Sequence, residues 1–200
     1  MKIKLKGTGV GVVLILAETL LVILSWLLSA MRLSGVRSLL SGEGIRWFIG
    51  DFAIVLASPL LVWLVLLLVA FGSLQKSGIT SLIPYRSSLI TYRDRIAIRV
   101  SLAFLIIYLI IISLLTLMPH AILLSASGQL FPSAFSRSLV PLVAFGVCLV
   151  SVTFGYVSGR FRSLSDVLSA LSFGIEKGAP LFILYILLIQ FYQSLRFVFG

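Results

Sequence analysis

The stretch from Val36 to Leu82 decides the fold of this chain, and it reads VRSLLSGEGIRWFIGDFAIVLASPLLVWLVLLLVAFGSLQKSGITSL. It begins as a polar segment that contains Trp47, and from Phe52 to Leu74 it becomes an uninterrupted apolar run. A helix needs roughly 20 apolar residues to cross the hydrocarbon layer of a bilayer. The run therefore predicts a membrane-spanning helix, preceded by a segment that lies at the membrane surface.

The composition extends this prediction to the whole chain. Hydrophobic residues make up 60% of its 200 residues and charged residues only 11%, and the mean hydropathy is +1.19. A soluble domain needs a far more charged surface than this. The net charge of +10 could indicate nucleic-acid binding in a soluble protein, but here Lys and Arg lie in short loops beside apolar runs, as membrane proteins place them. We expect an integral membrane protein that contacts the lipid bilayer and binds no nucleic acid.

Four further apolar runs have the length of a membrane span. Together they predict an all-α fold, a polytopic membrane helix bundle that forms a single membrane domain over residues 1–200, with about five transmembrane helices and two interfacial amphipathic segments. The predicted spans are residues 10–30, 52–74, 96–118, 139–157 and 180–197, and the predicted amphipathic segments are residues 36–50 and 163–176. In the second of these segments leucine and valine recur at helical spacing, and Ser163 with Asp166 resembles a capping box at the helix start.

The distribution of basic residues predicts the orientation. If the N-terminus is cytoplasmic, that side carries eleven of the sixteen basic residues: Lys2, Lys4, Lys6, Lys76, Arg86, Arg93, Arg95, Arg99, Arg160, Arg162 and Lys177. The other side carries Arg32, Arg37, Arg46, Arg137 and Arg196. Because cytoplasmic loops carry the excess of Lys and Arg, we expect a cytoplasmic N-terminus and a periplasmic C-terminus.

Basic residues beside the second and third spans are predicted to contact lipid headgroups. Each such charge near the surface contributes about 1 kcal/mol to the attraction between the protein and an anionic membrane. They are Lys76, Arg86, Arg93, Arg95 and Arg99. Lys76 is also expected near the C-terminal end of its helix, with Gly78 as the cap.

Glu18 is the candidate site of the first span. An acid in the centre of a span costs about 2.5 to 3.5 kcal/mol on insertion scales, so it is by default a functional hypothesis. Gly11, Glu18, Ser25 and Ser29 are spaced along one helix face, which we expect to face protein and not lipid. Two interpretations stay open: Glu18 specifies helix packing, protonated or paired, or it lies on a substrate path together with Ser25 and Thr153.

Small residues predict where helices pack closely. Gly11 in the first span and Gly146 and Gly155 in the fourth span allow another helix to approach. We expect the chain to form a homo-oligomer, in the simplest case a dimer, or to bind a larger membrane partner through these two spans. The alternative is that both faces pack within one monomer.

No group of residues in the sequence predicts catalysis. The chain has one histidine, His120, at the end of a span, and one cysteine, Cys148, inside an apolar run. It has no clustered carboxylates, no glycine loop for phosphate and no Cys/His spacing typical of a metal site. We therefore expect neither an enzyme nor a bound cofactor or metal.

Two blocks of sequence resemble the p-aminobenzoyl-glutamate transporter (AbgT) family. The first block consists of ILSWLLS at Ile23 to Ser29, VRSLLSGEGIRW at Val36 to Trp47 and PLLVWLVLLLVAFGSLQKSGITSLI at Pro59 to Ile83. The second consists of GQLFPSAFSRSLVPLVAFGVCLVSVTFGYVSG at Gly128 to Gly159, the helix with Ser165-Asp166-Val167, and the closing ILYILLIQFY. The two blocks cover more than half of the chain.

The resemblance implies a bacterial inner-membrane protein related to dimeric transporters of p-aminobenzoyl-glutamate and sulfonamide-like compounds. Members of that family are much longer, and they build the substrate site from two broken-helix hairpins. This chain has one plain helix between Ile83 and Gly128, and it stops after Tyr192 before a second hairpin could begin. No substrate-binding residue of the family can be placed on a position of this sequence.

Two functions follow as hypotheses. The first is a small oligomeric transporter that moves an aromatic or amphipathic solute, with Glu18 on the path. The second is a scaffold-like membrane subunit for docking or assembly, which transports nothing. Five nearly all-apolar spans offer few polar groups to hold a substrate at mid-membrane, which favours the second hypothesis.

Overall fold

The computed structural model describes residues 2–31, 35–82, 91–117 and 134–200, and within them the secondary structure is helical, without a strand. The helices are α1 (Lys2–Ala30), α2 (Gly42–Gly50), α3 (Phe52–Leu56), α4 (Pro59–Ser77), α5 (Tyr92–Leu117), α6 (Ala134–Val157) and α7 (Leu164–Phe199). A 3-10 turn, Ile79–Leu82, follows α4. The predicted all-α class is confirmed.

Five of these helices are long and apolar enough to cross a membrane: α1, α4, α5, α6 and α7. Their outer faces consist of large apolar side chains. On α5, for example, Leu102, Ile106 and Ile110 each leave half or more of their surface exposed. Apolar exposure on this scale marks a surface that contacts lipid or another protein. The chain is a multi-pass membrane protein.

The second predicted span is interrupted in the structure. The sequence predicts one helix over residues 52–74, but α3 ends at Leu56, residues 57–58 are not helical, and α4 begins at Pro59 and continues to Ser77. Proline lacks a backbone N–H and is favoured at the first position of a helix. The apolar run hides this break, because its composition does not change across it.

The last helix is continuous where the sequence predicts two elements. The amphipathic segment 163–176 and the span 180–197 form one helix of 36 residues, α7, with Pro180 in its interior. At about 1.5 Å per residue it is much longer than the roughly 30 Å of hydrocarbon that a span must cross. Neighbouring groups in a membrane protein can satisfy the carbonyl that an interior proline frees. Pro180 therefore lies inside a helix and does not begin one, and the predicted span 180–197 within this helix stays a prediction.

Local signals set several helix ends as the sequence predicts. α4 ends at Ser77, and Gly78 follows with φ of +78°, a backbone conformation that glycine adopts without strain. At the start of α7, the Asp166 carboxylate accepts from the backbone N–H of Ser163 at 3.0 Å, and the Ser163 hydroxyl accepts from the N–H of Asp166 at 3.3 Å. This reciprocal pair is the predicted capping box.

The chain divides into two compact units. Unit 1 comprises Met1–Val62 and Gly178–Gly200, and unit 2 comprises Trp63–Lys177. In unit 1 a small core forms around Leu21, Leu39 and Val198. In unit 2 the most buried apolar side chains include Phe154, Phe161 and Ala97. Because α4 and α7 each run through both units, this division does not decide whether the chain is one membrane domain, and the single domain stays a prediction.

Candidate functional site

Glu18 lies on the face of α1 that contacts the C-terminal part of α7. The Ser194 hydroxyl donates a hydrogen bond to Glu18 Oε1 at 2.6 Å. Ser194 is completely buried, and Glu18 is half-buried. The short O–H···O distance is typical of a hydrogen bond to a carboxyl group. The acid that the sequence singled out is therefore held by a side chain from the opposite end of the sequence.

Two oxygen atoms of this region lack a hydrogen-bond partner among the described residues. One is Glu18 Oε2 and the other is Gln190 Oε1, and both are buried. Gln190 leaves only 7% of its surface exposed and lies one helical turn before Ser194. Residues four apart share a helix face, so Gln190 and Ser194 present their side chains to the same side of α7. We call Glu18, Gln190 and Ser194 the polar site.

Gly11 and Ser25 of the predicted α1 stripe also face protein within unit 1. A methyl group added at Gly11 would lie 3.7 Å from the Leu184 side chain. The buried Ser25 hydroxyl donates to the Val22 carbonyl at 2.8 Å and accepts from the backbone N–H of Leu39 at 3.1 Å. The stripe therefore packs on α7 at one end and holds the segment before α2 at the other. The role of Ser25 on a substrate path stays a prediction.

Near the same end of unit 1, α2 is attached to α7 by aromatic packing. The Trp47 ring stacks on Phe197, with 4.6 Å between the ring centroids, and the Arg37 guanidinium lies 5.9 Å from the same Phe197 ring. The backbone N–H of Arg37 also donates to the Val198 carbonyl at 3.0 Å. Trp47, which belongs to the segment predicted to lie at the membrane surface, is thus half-buried against protein.

In unit 2 the predicted packing glycines of α6 have neighbours from the same chain. A methyl group at Gly146 would lie 3.0 Å from the Tyr108 ring of α5, and one at Gly155 would overlap the Phe161 ring. Thr153 is half-buried and makes no side-chain hydrogen bond to a described residue. These contacts fit the alternative in which the α6 face packs within one monomer, and contact with a second chain stays a prediction.

A close crossing of α4 and α7 in unit 2 involves two glycines that the sequence analysis did not identify. A methyl group at Gly72 of α4 would lie 2.7 Å from the Ala170 carbonyl oxygen and 2.9 Å from the Gly174 Cα of α7. One at Gly174 would overlap the Leu68 carbonyl. The two backbones touch here, and only residues without a side chain fit. Ala170, Gly174 and Gly178 recur at four-residue spacing, a signal that could have identified Gly174, whereas Gly72 has leucine and lysine four residues away on either side.

The predicted headgroup residues are distributed around one end of unit 2. Arg93, Arg95 and Arg99 are exposed on the first two turns of α5, while Arg86 lies outside the described residues, as does His120. The Lys76 ammonium lies 4.5 Å from the centre of the Phe173 ring, a cation–π distance. Contact of these cations with lipid headgroups stays a prediction.

Arg160 joins three elements near these cations, a role that the sequence analysis did not assign. Its guanidinium donates to the carbonyl of Ser77 at the end of α4 at 2.8 Å, and it lies 3.6 Å from the carboxylate of Asp94 in the first turn of α5. It also lies 5.2 Å from the centre of the Phe154 ring of α6. Arg160 therefore satisfies an orphan carbonyl at a helix end and an acid at a helix start.

An apolar cavity of about 460 Å³ lies between α5 and α6 in unit 2. Its walls include Leu105, Leu109 and Leu142, and Leu74 from the end of α4. The Tyr108 hydroxyl is the polar side-chain group of the lining, and it donates to the Leu142 carbonyl at 2.8 Å. The volume would hold a small ligand, and the lining would interact with hydrocarbon.

No metal centre is formed within the part of the chain that the structure describes, because no three His, Cys, Asp or Glu side chains there could hold an ion together. Comparisons with protein-family models, with curated proteins and with solved structures found no match to this chain.

Proposed function

We propose that this chain is a scaffold-like subunit of the bacterial inner membrane, without enzymatic or transport activity, that serves in docking or assembly with a second copy or a larger membrane partner. The resemblance to p-aminobenzoyl-glutamate transporters supports the proposed location in the bacterial inner membrane. In this proposal the N-terminus is cytoplasmic and the C-terminus is periplasmic, as the basic residues predict.

The observation that carries the proposal is the character of the cavity between α5 and α6. A solute with carboxylates, such as p-aminobenzoyl-glutamate, needs polar or cationic groups at its binding site. The cavity offers apolar walls, both aliphatic and aromatic, and one side-chain hydroxyl that already bonds to a backbone carbonyl. It suits an apolar chain and not a dianion.

Reconstitution tests the absence of transport. We expect purified protein in liposomes to show no saturable uptake or efflux of labelled p-aminobenzoyl-glutamate, with or without a proton or sodium gradient. A full-length transporter of the family that the chain resembles serves as the positive control. Gradient-dependent flux through this chain alone would overturn the proposal.

Crosslinking in native membranes tests the assembly role. We expect bands at the mass of a dimer or of a complex with a larger membrane protein, at the native expression level. A chain that remains monomeric at every crosslinker length would contradict a docking or assembly function.

A second candidate function is a small oligomeric transporter of an amphipathic solute. The polar site supports it, since Glu18 Oε2 and Gln190 Oε1 are buried oxygens without a partner among the described residues. Intramembrane acids in transporters commonly serve in proton relays. Under this candidate, Glu18→Gln abolishes flux of the solute while the protein stays folded.

A further inference from the structure

We propose that Glu18 is protonated in the folded protein at neutral pH and donates this proton to the Gln190 side-chain oxygen, so that the polar site is a proton-binding site between α1 and α7. The inference goes beyond the scaffold function and does not depend on it. It also does not require that the chain transports anything.

The hydrogen-bond inventory of the site leads to this assignment. With its amide oriented as in the structure, Gln190 leaves its oxygen without a partner, and neither this acceptor nor an ionised carboxylate can donate to the other. Ser194 supplies one donor, which Glu18 Oε1 uses. Glu18 Oε2 and Gln190 Oε1 then remain buried without a partner among the described residues, and a buried polar atom without a hydrogen bond is destabilising. A single proton on Oε2 makes the carboxyl a donor and satisfies both oxygens.

Among the described residues, the hydrogen bonds and ion pairs of Glu18 include no cation that could take the place of the proton. The ion pair found within the described residues joins Arg160 to Asp94, and it lies in unit 2. On α7, Tyr192 and Arg196 are exposed, and no hydrogen bond or ion pair joins either to Glu18. From the segment before α2, Arg37 lies over the Phe197 ring. A charged Glu18 would therefore be a half-buried carboxylate with one hydrogen bond and no cation partner among the described residues, which disfavours the charged form.

The spacing of residues allows Glu18 and Gln190 to meet. Gly11 faces Leu184, and Glu18 faces Ser194, so α1 and this part of α7 run in the same direction with matched levels. Gln190 lies four residues before Ser194, about 6 Å along the axis. A glutamine side chain spans this distance, and the buried position of Gln190 leaves it facing α1 rather than lipid.

Infrared spectroscopy of the protein in lipid nanodiscs tests the assignment. A protonated carboxylic acid has a C=O stretching band that a carboxylate lacks. We expect this band in the wild-type protein at neutral pH, its loss in Glu18→Gln, and its persistence in the matched control Glu43→Gln, because Glu43 is an exposed acid on α2. The Gln190→Leu variant should keep the band but shift it to higher frequency, because the hydrogen bond is lost.

Several results would overturn the proposal. They are the absence of the band from the wild-type protein at neutral pH, a band that Glu18→Gln leaves unchanged, and a band that Gln190→Leu does not shift. Loss of the band when sodium chloride replaces choline chloride would also overturn the proposal, because the site would then bind sodium and not a proton. A pH titration of the band in the wild-type protein needs no variant, so a variant that fails to fold does not prevent the test.

Discussion

Among the glycines of unit 2, Gly174 has the least room for a side chain. Replacing it by leucine forces the α4 and α7 backbones apart at the Leu68 carbonyl and Gly72. Overpacking of this kind costs about 1 to 3 kcal/mol and sometimes more. We therefore expect Gly174→Leu to lower the melting temperature of the purified protein, measured by fluorescence-detected size exclusion after heating.

The matched control for this variant is Gly9→Leu. Gly9 also lies in a membrane-spanning helix, but no atom of the described structure lies within 4 Å of a methyl group added there. Leucine favours a helix over glycine by about 1 kcal/mol, so Gly9→Leu should be neutral or stabilising. Equal melting temperatures for the two variants would show that the crossing at Gly174 tolerates a side chain.

Residues that contact each other across long sequence separations could be predicted only in part. The sequence indicates that the face with Glu18 packs against protein, because an acid at helical spacing from small residues is a local pattern. Its partners, Ser194 and Gln190, follow only from the three-dimensional packing of α1 on α7. Their spacing of four residues in an apolar span was a usable signal, since two polar groups there share one face.

At the scale of elements, the break between α3 and α4 depends on Tyr185. The Tyr185 hydroxyl donates to the Leu56 carbonyl at 2.9 Å, and it lies 2.6 Å from the Ser58 hydroxyl. Since the tyrosine proton is used for the carbonyl, Ser58 is the donor of the second bond. One side chain of α7 thus satisfies two polar groups that the interruption of the helix leaves without helical partners.

Removing this hydroxyl should loosen the break. We expect Tyr185→Phe to destabilise the protein by about 0.5 to 1.5 kcal/mol, because the Leu56 carbonyl keeps only its bond from the Ser58 N–H and the Ser58 hydroxyl loses its acceptor. Hydrogen exchange of the peptide that covers residues 52–60, measured by mass spectrometry in nanodiscs, should become faster. Tyr192→Phe is the control, since Tyr192 is 57% exposed. Unchanged exchange in Tyr185→Phe would mean that Pro59 and the local chain hold the break alone.

Helix ends with local signals could be predicted from the sequence, whereas interruptions without them could not. Gly78 and the Ser163–Asp166 capping box act on backbone groups a few residues away, so their positions are readable. The break at residues 57–58 and the continuity of α7 through Pro180 depend on how other helices satisfy the backbone. Proline marks a helix start in one case and lies in a helix interior in the other, and composition does not distinguish them.

At the scale of the whole molecule, the direction of α1 and α7 restricts the topology. Gly11 lies beside Leu184 and Glu18 beside Ser194, so α1 and the C-terminal part of α7 are parallel within unit 1. Two spans that run in the same direction enter from the same side of the membrane. We therefore expect the two termini on opposite sides of the membrane, as five crossings would place them.

Accessibility of single cysteines tests both this parity and the orientation. In a Cys148→Ala background, we expect a membrane-impermeant maleimide to label Ser41→Cys and Gly200→Cys on cells with a permeabilised outer membrane. Lys6→Cys and Gln75→Cys should be labelled only after the inner membrane is disrupted. Ser41 and Gly200 are expected on one side, because the backbone of Arg37 bonds to Val198 near the C-terminus. Disruption of the inner membrane, after which all four positions should react, is the control for reactivity.

Two other labelling patterns would distinguish an error in the number of crossings from an error in the orientation. If Lys6 and Gly200 react from the same side, the number of crossings is even, and the parallel packing of α1 on α7 is wrong. If instead Lys6 and Gln75 react on intact inner membranes while Ser41 and Gly200 do not, the packing stands and the charge-based orientation is inverted. The second outcome would mean that the basic residues around Arg160 and α5 face the periplasm. This would contradict the general rule that cytoplasmic loops carry the excess of Lys and Arg.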